Sequence, residues 1–452
     1  MTNGARDMLP AAPTFSPTHL EEVEIGAPLP ALAGSSVSEG HHRRVLTLVR
    51  LHDAPLGLVD LTRGEEGLDA DAYAREIWRS LGPRINEHLQ ADGLVAAGEL
   101  GTSGIASPAQ PKCFAERAAF KTSAPFASVV VATRDRPESL RRCLESLLEM
   151  DYPHFEIVVV DSAPSSDATA MLLKQSFGEY RQIRYLRESR PGLAVAHNHA
   201  LMAIDADIIA FTDDDVIVDA LWLLQLVKAF AVSENVACVT GLILPRELET
   251  PAQLWVEQYV GFNKGFSRRL FDLKDNRPTD PLFPFSAGVF GSGANMAFKT
   301  AALREIGGFD PALGAGSGGR GGDDLAAFFD VVTSGYAIVY EPAAINWHQH
   351  RRDYAGLRKQ MYGYGVGLTA YLTKTLMDRP GRIFEFAAKM PRGLIHAIDS
   401  RSAKNARKSA DYPSELTSAE RRGMLYGPIA YLASRWRAQN TKPRFDRSDN
   451  AH

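Results

Sequence analysis

The α/β part of the chain opens with the segment Ser128-Val129-Val130-Val131-Ala132, which contains no charged residue. Short strands with such a continuous apolar pattern are typical of parallel sheets, because helices cover both faces of those sheets. A helix pattern follows, with Pro137 suited to its first turn and an apolar face formed by Leu140, Leu144 and Leu147. This segment therefore predicts an α/β fold with a doubly wound parallel sheet.

The same alternation of strand and helix continues downstream. Further strands are predicted at Glu156–Val160, Ile183–Leu186 and Ile208–Phe211, with helices near residues 168–176 and 192–204. Ligands of such sheets bind beyond the carboxyl ends of the strands. Three polar clusters fall at those ends: Thr133–Arg136, Asp161–Asp167 and Asp213–Asp215.

Composition limits the class of protein. The 452 residues are 45% hydrophobic and 23% charged, which is ordinary for a globular protein with two folded units. The net charge of −4 argues against a nucleic-acid partner. Three widely spaced cysteines form neither a disulfide framework nor a zinc pattern, and we expect no signal peptide and no membrane span. These features predict a cytoplasmic location.

The charge is unevenly distributed. Residues from Arg379 onward carry a net charge of +8, and the rest of the chain carries −12. A solvated basic tail and a contact with an anionic membrane surface both explain this pattern. The apolar stretch at residues 424–433 likewise fits a helix lying in the membrane interface or one packed on the protein. A peripheral position on the inner face of the plasma membrane is thus one predicted location.

Changes in composition divide the chain. Two strand patterns at Val45–Leu51 and Leu56–Leu61 predict a hairpin, and Asp69–Leu89 has helical periodicity. The predicted units are a disordered segment 1–40, a small α+β domain 41–100, a linker 101–125, an α/β domain 126–350, a helical C-terminal extension 351–440 and a disordered tail 441–452.

The triplet Asp213-Asp214-Asp215 is the first candidate site. Adjacent carboxylates repel one another unless a cation neutralises them, and their oxygens suit Mg²⁺ or Mn²⁺, which also bind phosphate oxygens. A metal-bridged diphosphate would satisfy the triplet. An acidic turn that caps the next helix is the structural alternative.

A glycine-rich segment at residues 314–322 is the second candidate. It lacks the strand and the lysine of nucleotide-binding loops, so a loop that closes over substrate explains it better. Asp323 and Asp324 then begin a helix, whose N-terminus stabilises a carboxylate and would allow Asp324 to act as a general base. Helix capping is the alternative.

The segment Trp347–Arg352 is the third candidate. In an extended segment His348 and His350 point to the same side, where an imidazole can bind a metal, and Arg351 and Arg352 can meet phosphate. A structural histidine is the alternative.

Four segments together resemble glycosyltransferase family 2. Residues 128–136 are similar to its opening strand and donor loop, Asp161 to its base-contacting aspartate, Asp213–Asp215 to its Asp-x-Asp motif, and Gly322–Leu325 to its Glu-Asp motif. The resemblance covers about residues 126–375 and departs at two points. Ala196-His197-Asn198 stands where the family often has Ala-Arg-Asn, and Asp323 stands where it has glutamate.

The resemblance implies a GT-A catalytic domain and an inverting transfer of sugar from a nucleotide-sugar donor to a saccharide or lipid-linked acceptor. Such a reaction would serve cell-surface polysaccharide or glycoconjugate synthesis. It implies Mn²⁺ or Mg²⁺ as cofactor and Asp324 as the catalytic base. The implied donor-binding residues are Thr133, Arg134, Arg136, Asp161, Arg190, Asp213 and Asp214; the metal ligands are Asp213, Asp215, His348 and His350; and the acceptor or loop residues are Asp323, Gly321 and Gly322.

Two other functions fit parts of the pattern. A nucleotidyltransferase also uses carboxylates and a metal, but it usually needs a glycine-rich basic loop after the first strand, and residues 133–137 contain no glycine. A non-catalytic relative that binds nucleotide sugars would be expected to lose carboxylates such as Asp215 and Asp324. A homo-oligomer is a further expectation.

Overall fold

The computed structural model describes most of the chain. The described residues are 15, 17–32, 44–63, 67–106, 109–399, 402, 405–406, 408–409 and 411–438. Residues 1–14 and the predicted tail 441–452 lie outside them.

A small α+β unit comes first. Its sheet has the order β1 (Thr18–Glu24), β2 (Arg44–Leu51) and β3 (Ala54–Thr62), and helix α1 (Ala70–Ala91) packs on one face. Strands β2 and β3 form the predicted antiparallel hairpin, and β1 pairs parallel to β2. Ile77, Ile85 and other buried apolar side chains of α1 fill the core beneath the sheet.

Two expectations about the first 125 residues were wrong. Strand β1 lies inside the segment 1–40 that was predicted to be disordered, and helix α2 (Lys112–Lys121) lies inside the predicted linker 101–125. β1 is mostly polar and is ordered by backbone pairing with a strand about twenty residues away in sequence, so local composition does not reveal it. Helix α2 is held by its contacts with other elements, including the ion pair between Glu116 and Lys228.

A nine-stranded sheet forms the centre of the larger α/β unit. Its strands are β4 (Ala127–Thr133), β5 (Phe155–Ser162), β6 (Ile183–Glu188), β7 (Ile208–Asp213), β8 (Val216–Val218), β9 (Val236–Pro245), β10 (Arg269–Phe271), β11 (Asn295–Lys299) and β12 (Ala337–His348). The order is β10-β12-β9-β11-β7-β4-β5-β6, with β8 paired to β12. Strands β6, β5, β4 and β7 are parallel, and β11 enters antiparallel between β7 and β9.

Helices cover both faces of this sheet. They are α3 (Pro137–Leu148), α4 (Ala168–Ser176), α5 (Leu193–Ala203), α6 (Trp222–Ala229), α7 (Pro251–Val260), α8 (Thr300–Glu305) and α9 (Asp323–Thr333), with short 3₁₀ turns at Phe230–Val232 and Ala287–Val289. Two large apolar cores lie on opposite faces, because alternate side chains of β4 (Val129 and Val131 against Val130) enter different cores. The predicted α/β class is confirmed, with a mixed sheet.

The two units pack against each other. Leu48 of β2 joins Leu242, Leu244 and Ile345 of the large sheet in one apolar cluster. Beside it the Arg50 Nη2 atom donates to Asp219 Oδ2 at 2.8 Å. The small domain is therefore a fixed neighbour of the sheet.

Three helices follow the last strand. They are α10 (Tyr354–Asp378), α11 (Ile383–Ile398, after a 3₁₀ turn at Pro380–Arg382) and α12 (Ser414–Ala438). Glycines make the α10–α12 contact close, since a Cβ on Gly365 would lie 2.0 Å from the Glu420 oxygen and one on Gly423 would lie 2.2 Å from the Tyr362 oxygen. Within the described ranges, no helix combines the length and hydropathy that a membrane span requires.

Candidate active site

The carboxyl ends of β4 and β7, the end of β12 and the start of α9 surround one open cleft. Its volume is about 2410 Å³, more than a single small ligand occupies. Eleven of the predicted site residues line it: Thr133, Arg134, Arg136, Asp213, Asp214, Asp215, Gly321, Gly322, Asp323, Asp324 and His348. Sequence positions up to 215 residues apart thus meet at one edge of the sheet.

Asp214 faces the protein. Thr133 Oγ1 donates to its Oδ2 atom at 2.7 Å, and Arg136 Nη1 contacts its Oδ1 atom at 2.5 Å. Burial raises the pKa of Asp214 to about 6, even though Arg136 opposes that shift. Asp214 therefore organises the loop after β4, and both of its carboxylate oxygens already accept hydrogen bonds.

Asp213 and Asp215 face the cleft. Burial raises the pKa of Asp213 well above its usual range, and the charges of Asp215, Asp214 and Asp323 raise it further. Burial also acts to raise the pKa of Asp215, but His348 and Arg136 outweigh it and hold that pKa below the ordinary value. Arg136 Nη2 donates to Asp215 Oδ2 at 2.8 Å. The cleft thus has an excess of carboxylate charge that a cation would relieve.

Strand register brings His348 to this group. His348 pairs with Val216 across the β12–β8 ladder, and the next amide, that of Gln349, donates to the Asp215 carbonyl at 3.0 Å. The side-chain Nε2 atom of His348 then lies 3.4 Å from Asp215 Oδ1. Asp213, Asp215 and His348 each offer a ligand atom, all within 4.8 Å of one another.

His350 does not join that group. It is buried, its Nε2 atom contacts the Glu257 carboxylate, and its Nδ1 atom lies 3.2 Å from Nδ1 of His348. If His350 donates to Glu257, its other nitrogen accepts from His348 Nδ1, which leaves a lone pair on His348 Nε2 facing Asp215. A cation would bind both His348 Nε2 and Asp215 Oδ1, so Asp213, Asp215 and His348 fit a divalent metal. His350 would not bind the metal itself but would orient His348 through their hydrogen bond.

The glycine-rich segment forms a loop against α10 and α12. Gly322 has a φ of 80° and its Cβ position lies 2.5 Å from the Gly367 oxygen, so only glycine fits there. On the far side of the loop, the Gly318 amide donates to Ser434 Oγ of α12 at 3.2 Å. The loop is therefore held from both sides.

Asp323 and Asp324 begin α9 directly after this loop. Asp324 Oδ2 accepts from the Gly293 amide at 2.9 Å, and its Oδ1 accepts from the Leu325 amide at 2.8 Å. Burial raises the pKa of Asp324. Burial, together with the neighbouring Asp324 charge, raises the pKa of Asp323 to about 7. A carboxylate with a raised pKa accepts protons near neutral pH more readily than an ordinary one.

Asp161 is fully buried at the end of β5. The Tyr185 hydroxyl donates to its Oδ2 atom at 3.0 Å, and no hydrogen bond from the described part of the chain reaches Oδ1. Burial raises its pKa. Asp161 lies next to the cleft-lining residue Ser162 but does not itself line the cleft.

Arg190 is not brought to the carboxylate group. It forms two side-chain hydrogen bonds to Glu188, at 2.9 and 2.8 Å, and does not line the cleft. His197, at the family's arginine position, lies between Phe211 and Phe309, and burial lowers its pKa to about 3. It therefore brings no positive charge to a phosphate.

Two residues of the site were not found from the sequence. Lys264 lines the cleft, and its charge partly opposes the rise in the pKa of Asp324. The Gly293 amide positions Asp324. No motif marks these positions, because long loops bring them to the cleft.

The acidic cleft lies at the carboxyl edge of the sheet, where α/β sheets bind their ligands. Residues 128–307 match the family "Glycosyl transferase family 2". This part of the chain is thus similar to a family 2 glycosyltransferase domain, and it includes the Asp213–Asp215 triplet. Asp324 and His348 lie beyond the matched residues.

Curated relatives of the chain include glycosyltransferases and a synthase. The chain is 28% identical over 241 residues to the pre-mycofactocin glycosyltransferase of Mycobacterium tuberculosis, covering 52% of this chain and 46% of that protein. It is 23% identical over 241 residues to the poly-beta-1,6-N-acetyl-D-glucosamine synthase of Staphylococcus epidermidis, covering 53% and 54%. The chain thus spans about half the length of these curated relatives.

Among solved structures, the chain is similar to a mannosyltransferase from Pyrobaculum calidifontis in complex with GDP-Man and Mn²⁺. The TM-score is 0.43 and the identity 19%, over 72% of this chain and 95% of that one.

Proposed function

We propose that this protein is an inverting, metal-dependent glycosyltransferase that moves a sugar from a nucleotide-sugar donor to a hydroxyl of a saccharide or lipid-linked acceptor. The observation that carries the proposal is the arrangement of two acidic groups in one cleft. Asp213, Asp215 and His348 form one group, and Asp324 at the start of α9 belongs to the other. The family 2 domain supports the same reaction class.

Asp213, Asp215 and His348 would hold Mn²⁺ or Mg²⁺. Carboxylate oxygens suit both ions, and the imidazole favours Mn²⁺. When bound, the ion supplies positive charge to the departing nucleoside diphosphate. Arg136 already balances one of the three carboxylate charges of Asp213–Asp215, so one divalent ion would balance the other two.

The residues of the chain account for the remaining steps. Asp324 would take the proton of the acceptor hydroxyl as that oxygen attacks the anomeric carbon. The bond from this carbon to the diphosphate breaks with its electron pair on the phosphate oxygen, so a single displacement inverts the anomeric centre. The two backbone amides on Asp324 fix the carboxylate, and the glycine-rich loop beside it would exclude water.

Calorimetric titration tests the proposal. UDP, GDP, TDP and CDP are titrated with and without Mn²⁺ into the wild type, Asp215→Ala and the control Asp205→Ala, which alters an exposed carboxylate outside the cleft. We expect manganese-dependent binding of one nucleotide, lost in Asp215→Ala and kept in the control. Absence of binding by the folded wild type would contradict the proposal. Binding of a nucleoside triphosphate with release of pyrophosphate would favour the nucleotidyltransferase.

We also propose that α12 rests on an anionic membrane surface. Its outer face exposes Leu425 (81%), Ile429 (62%), Leu432 and Trp436 (76%), spaced so that they share one side of the helix. Exposed arginines at 421, 422 and 437 flank this face. An apolar face edged by basic residues is the pattern of interfacial helices.

Vesicle flotation tests this contact. We expect the protein to float with vesicles containing an anionic phospholipid and not with neutral ones, and Ile429→Glu to abolish flotation. Met171→Glu, at an exposed methionine of α4, is the matched control. Failure to float would contradict the membrane contact. A dimer that Ile429→Glu dissociates would assign this face of α12 to a second copy of the chain.

A further inference from the structure

Four metal-ligating side chains meet in the small N-terminal unit, and none of them lines the cleft. His52 lies in the turn between β2 and β3, His88 and Asp92 lie at the end of α1, and Cys113 lies in the first turn of α2. Three separate segments therefore contribute to one cluster. Nothing in the glycosyltransferase reaction uses it.

Three of these side chains converge on a single oxygen. Asp92 Oδ2 is 2.7 Å from His52 Nδ1, 3.2 Å from His88 Nε2 and 3.1 Å from Cys113 Sγ. The two histidine nitrogens are 3.2 Å from each other. All four ligand atoms lie within 4.8 Å of one another. A carboxylate oxygen normally accepts about two hydrogen bonds, so this crowding exceeds what polar satisfaction requires.

The surrounding backbone holds the cluster in place. His52 has a φ of 55°, a left-handed conformation uncommon for a residue with a side chain, and the Glu24 carboxylate accepts from its amide at 3.1 Å. Arg117 Nη1 donates to the His52 carbonyl at 3.1 Å. The Cys113 amide donates to Asp92 Oδ1 at 3.0 Å, which leaves Oδ2 for the cluster. Such over-determined local geometry is found at ligand sites.

We propose that His52, His88, Asp92 and Cys113 bind one structural Zn²⁺ ion. Two imidazoles, one carboxylate and one thiolate are zinc ligands, and four protein ligands close a tetrahedral site. Zinc distances of 2.0–2.3 Å place neighbouring ligand atoms about 3.3–3.7 Å apart, so the cluster needs to open by only about half an ångström. On binding, the Cys113 thiol loses its proton to solvent, and each imidazole turns a lone pair to the metal.

A reactive thiol does not explain the cluster. Burial and the neighbouring Asp92 carboxylate together raise the pKa of Cys113 to about 12, whereas nucleophilic cysteines have lowered pKa values. The site would instead clip the β2–β3 turn, α1 and α2 together. Helix α2 also reaches α6 of the large unit through the Glu116–Lys228 ion pair. Metal binding would thus stabilise the connection between the two units.

Metal analysis of protein purified without chelators provides the test. The Asp215→Ala variant is used, so that the cleft contributes no metal, and elemental mass spectrometry should find about one zinc per chain. Replacement of zinc by Co²⁺ should give a thiolate-to-cobalt absorption band, because Cys113 is the one cysteine of this cluster. Cys113→Ser should lose both signals, and Cys238→Ala, at a core cysteine, should keep them. Chelation should lower the Tm of Asp215→Ala but not that of the double variant Asp215→Ala with Cys113→Ser.

Several results would overturn the proposal. Zinc below about a tenth of an equivalent, together with no cobalt band in the folded Asp215→Ala protein, would show a metal-free polar cluster. Another metal at one equivalent would refute the zinc assignment, and a band that persists in Cys113→Ser would refute the ligand assignment. The first two measurements need no change at the cluster, so they remain decisive if Cys113→Ser does not fold. None depends on the proposed transferase activity.

Discussion

Replacement of Asp324 by asparagine separates the chemical step from donor binding. The carboxylate accepts one hydrogen bond on each oxygen, from the amides of Gly293 and Leu325. Asparagine has the same shape and keeps one of these bonds, while its NH₂ group faces the other amide. The unsatisfied pair costs about 1–3 kcal/mol of folding stability, which a domain of this size can tolerate.

The loss in rate is larger. An amide cannot take the acceptor proton, and a positioned general base contributes about 10²- to 10⁴-fold to rate. This range corresponds to about 2.7–5.4 kcal/mol of transition-state free energy. We therefore expect kcat to fall by about 10²–10⁴ in Asp324→Asn, while manganese-dependent nucleotide affinity changes less than about threefold.

The assay measures release of nucleoside diphosphate in the presence of acceptor, beside calorimetry of the nucleotide, with Asp205→Ala as control. Burial raises the pKa of Asp324, so the active base form is lost as pH falls through that raised value, and wild-type kcat should decline on the acid side. A variant that keeps more than about a tenth of wild-type kcat would refute the role of Asp324 as base. Equal losses of kcat and nucleotide affinity would assign it to donor binding instead.

Three further outcomes are expected. Because folding raises the pKa of Asp323 from 3.8 to about 7, its stabilising contribution is complete at low pH and is lost as pH rises through about 7. In the presence of EDTA, the Tm of Asp323→Asn relative to wild type should therefore rise between pH 5 and pH 8, and a constant difference would contradict the assignment. Gly423→Ala places a Cβ 2.2 Å from a carbonyl oxygen of α10 and should cost about 1–3 kcal/mol in urea unfolding, whereas Gly98→Ala, in open space, should cost far less. His350→Phe removes the partner of His348 Nδ1 and should weaken manganese binding about 10- to 100-fold by calorimetry; unchanged affinity would show that His350 does not orient His348.

The sequence predicted those parts of the fold that depend on local pattern. Strands β4 and β7 are runs of apolar residues ending in polar clusters, and the cleft forms at those ends. Strand β12 runs from Ala337 to His348 although it contains Pro342, because its pairing with β9 continues after a register shift between Glu341 and Ile345. That shift decides where His348 lies, and no local signal encodes it.

Long-range contacts explain the other differences. The glycines of α10 resemble interruptions in sequence, yet the helix is continuous from Tyr354 to Asp378, because α12 packs directly against them. Arg190 and His350 carry the right chemistry at plausible spacing, but Glu188 and Glu257 engage them. A carboxylate partner elsewhere in the chain can redirect a candidate ligand, and such partners are visible only after folding.

Helix α12 touches the catalytic loop on one side and exposes its apolar residues on the other. Ser434 Oγ accepts from the Gly318 amide, and Tyr431 donates to Asp310 just before the loop. If the outer face sits on a membrane, thermodynamic reciprocity applies: the factor by which the surface changes donor affinity through this contact is the factor by which a bound donor changes affinity for the surface. Where that coupling is favourable, the donor-loaded protein stays on the bilayer longer and leaves it more readily once the nucleotide departs.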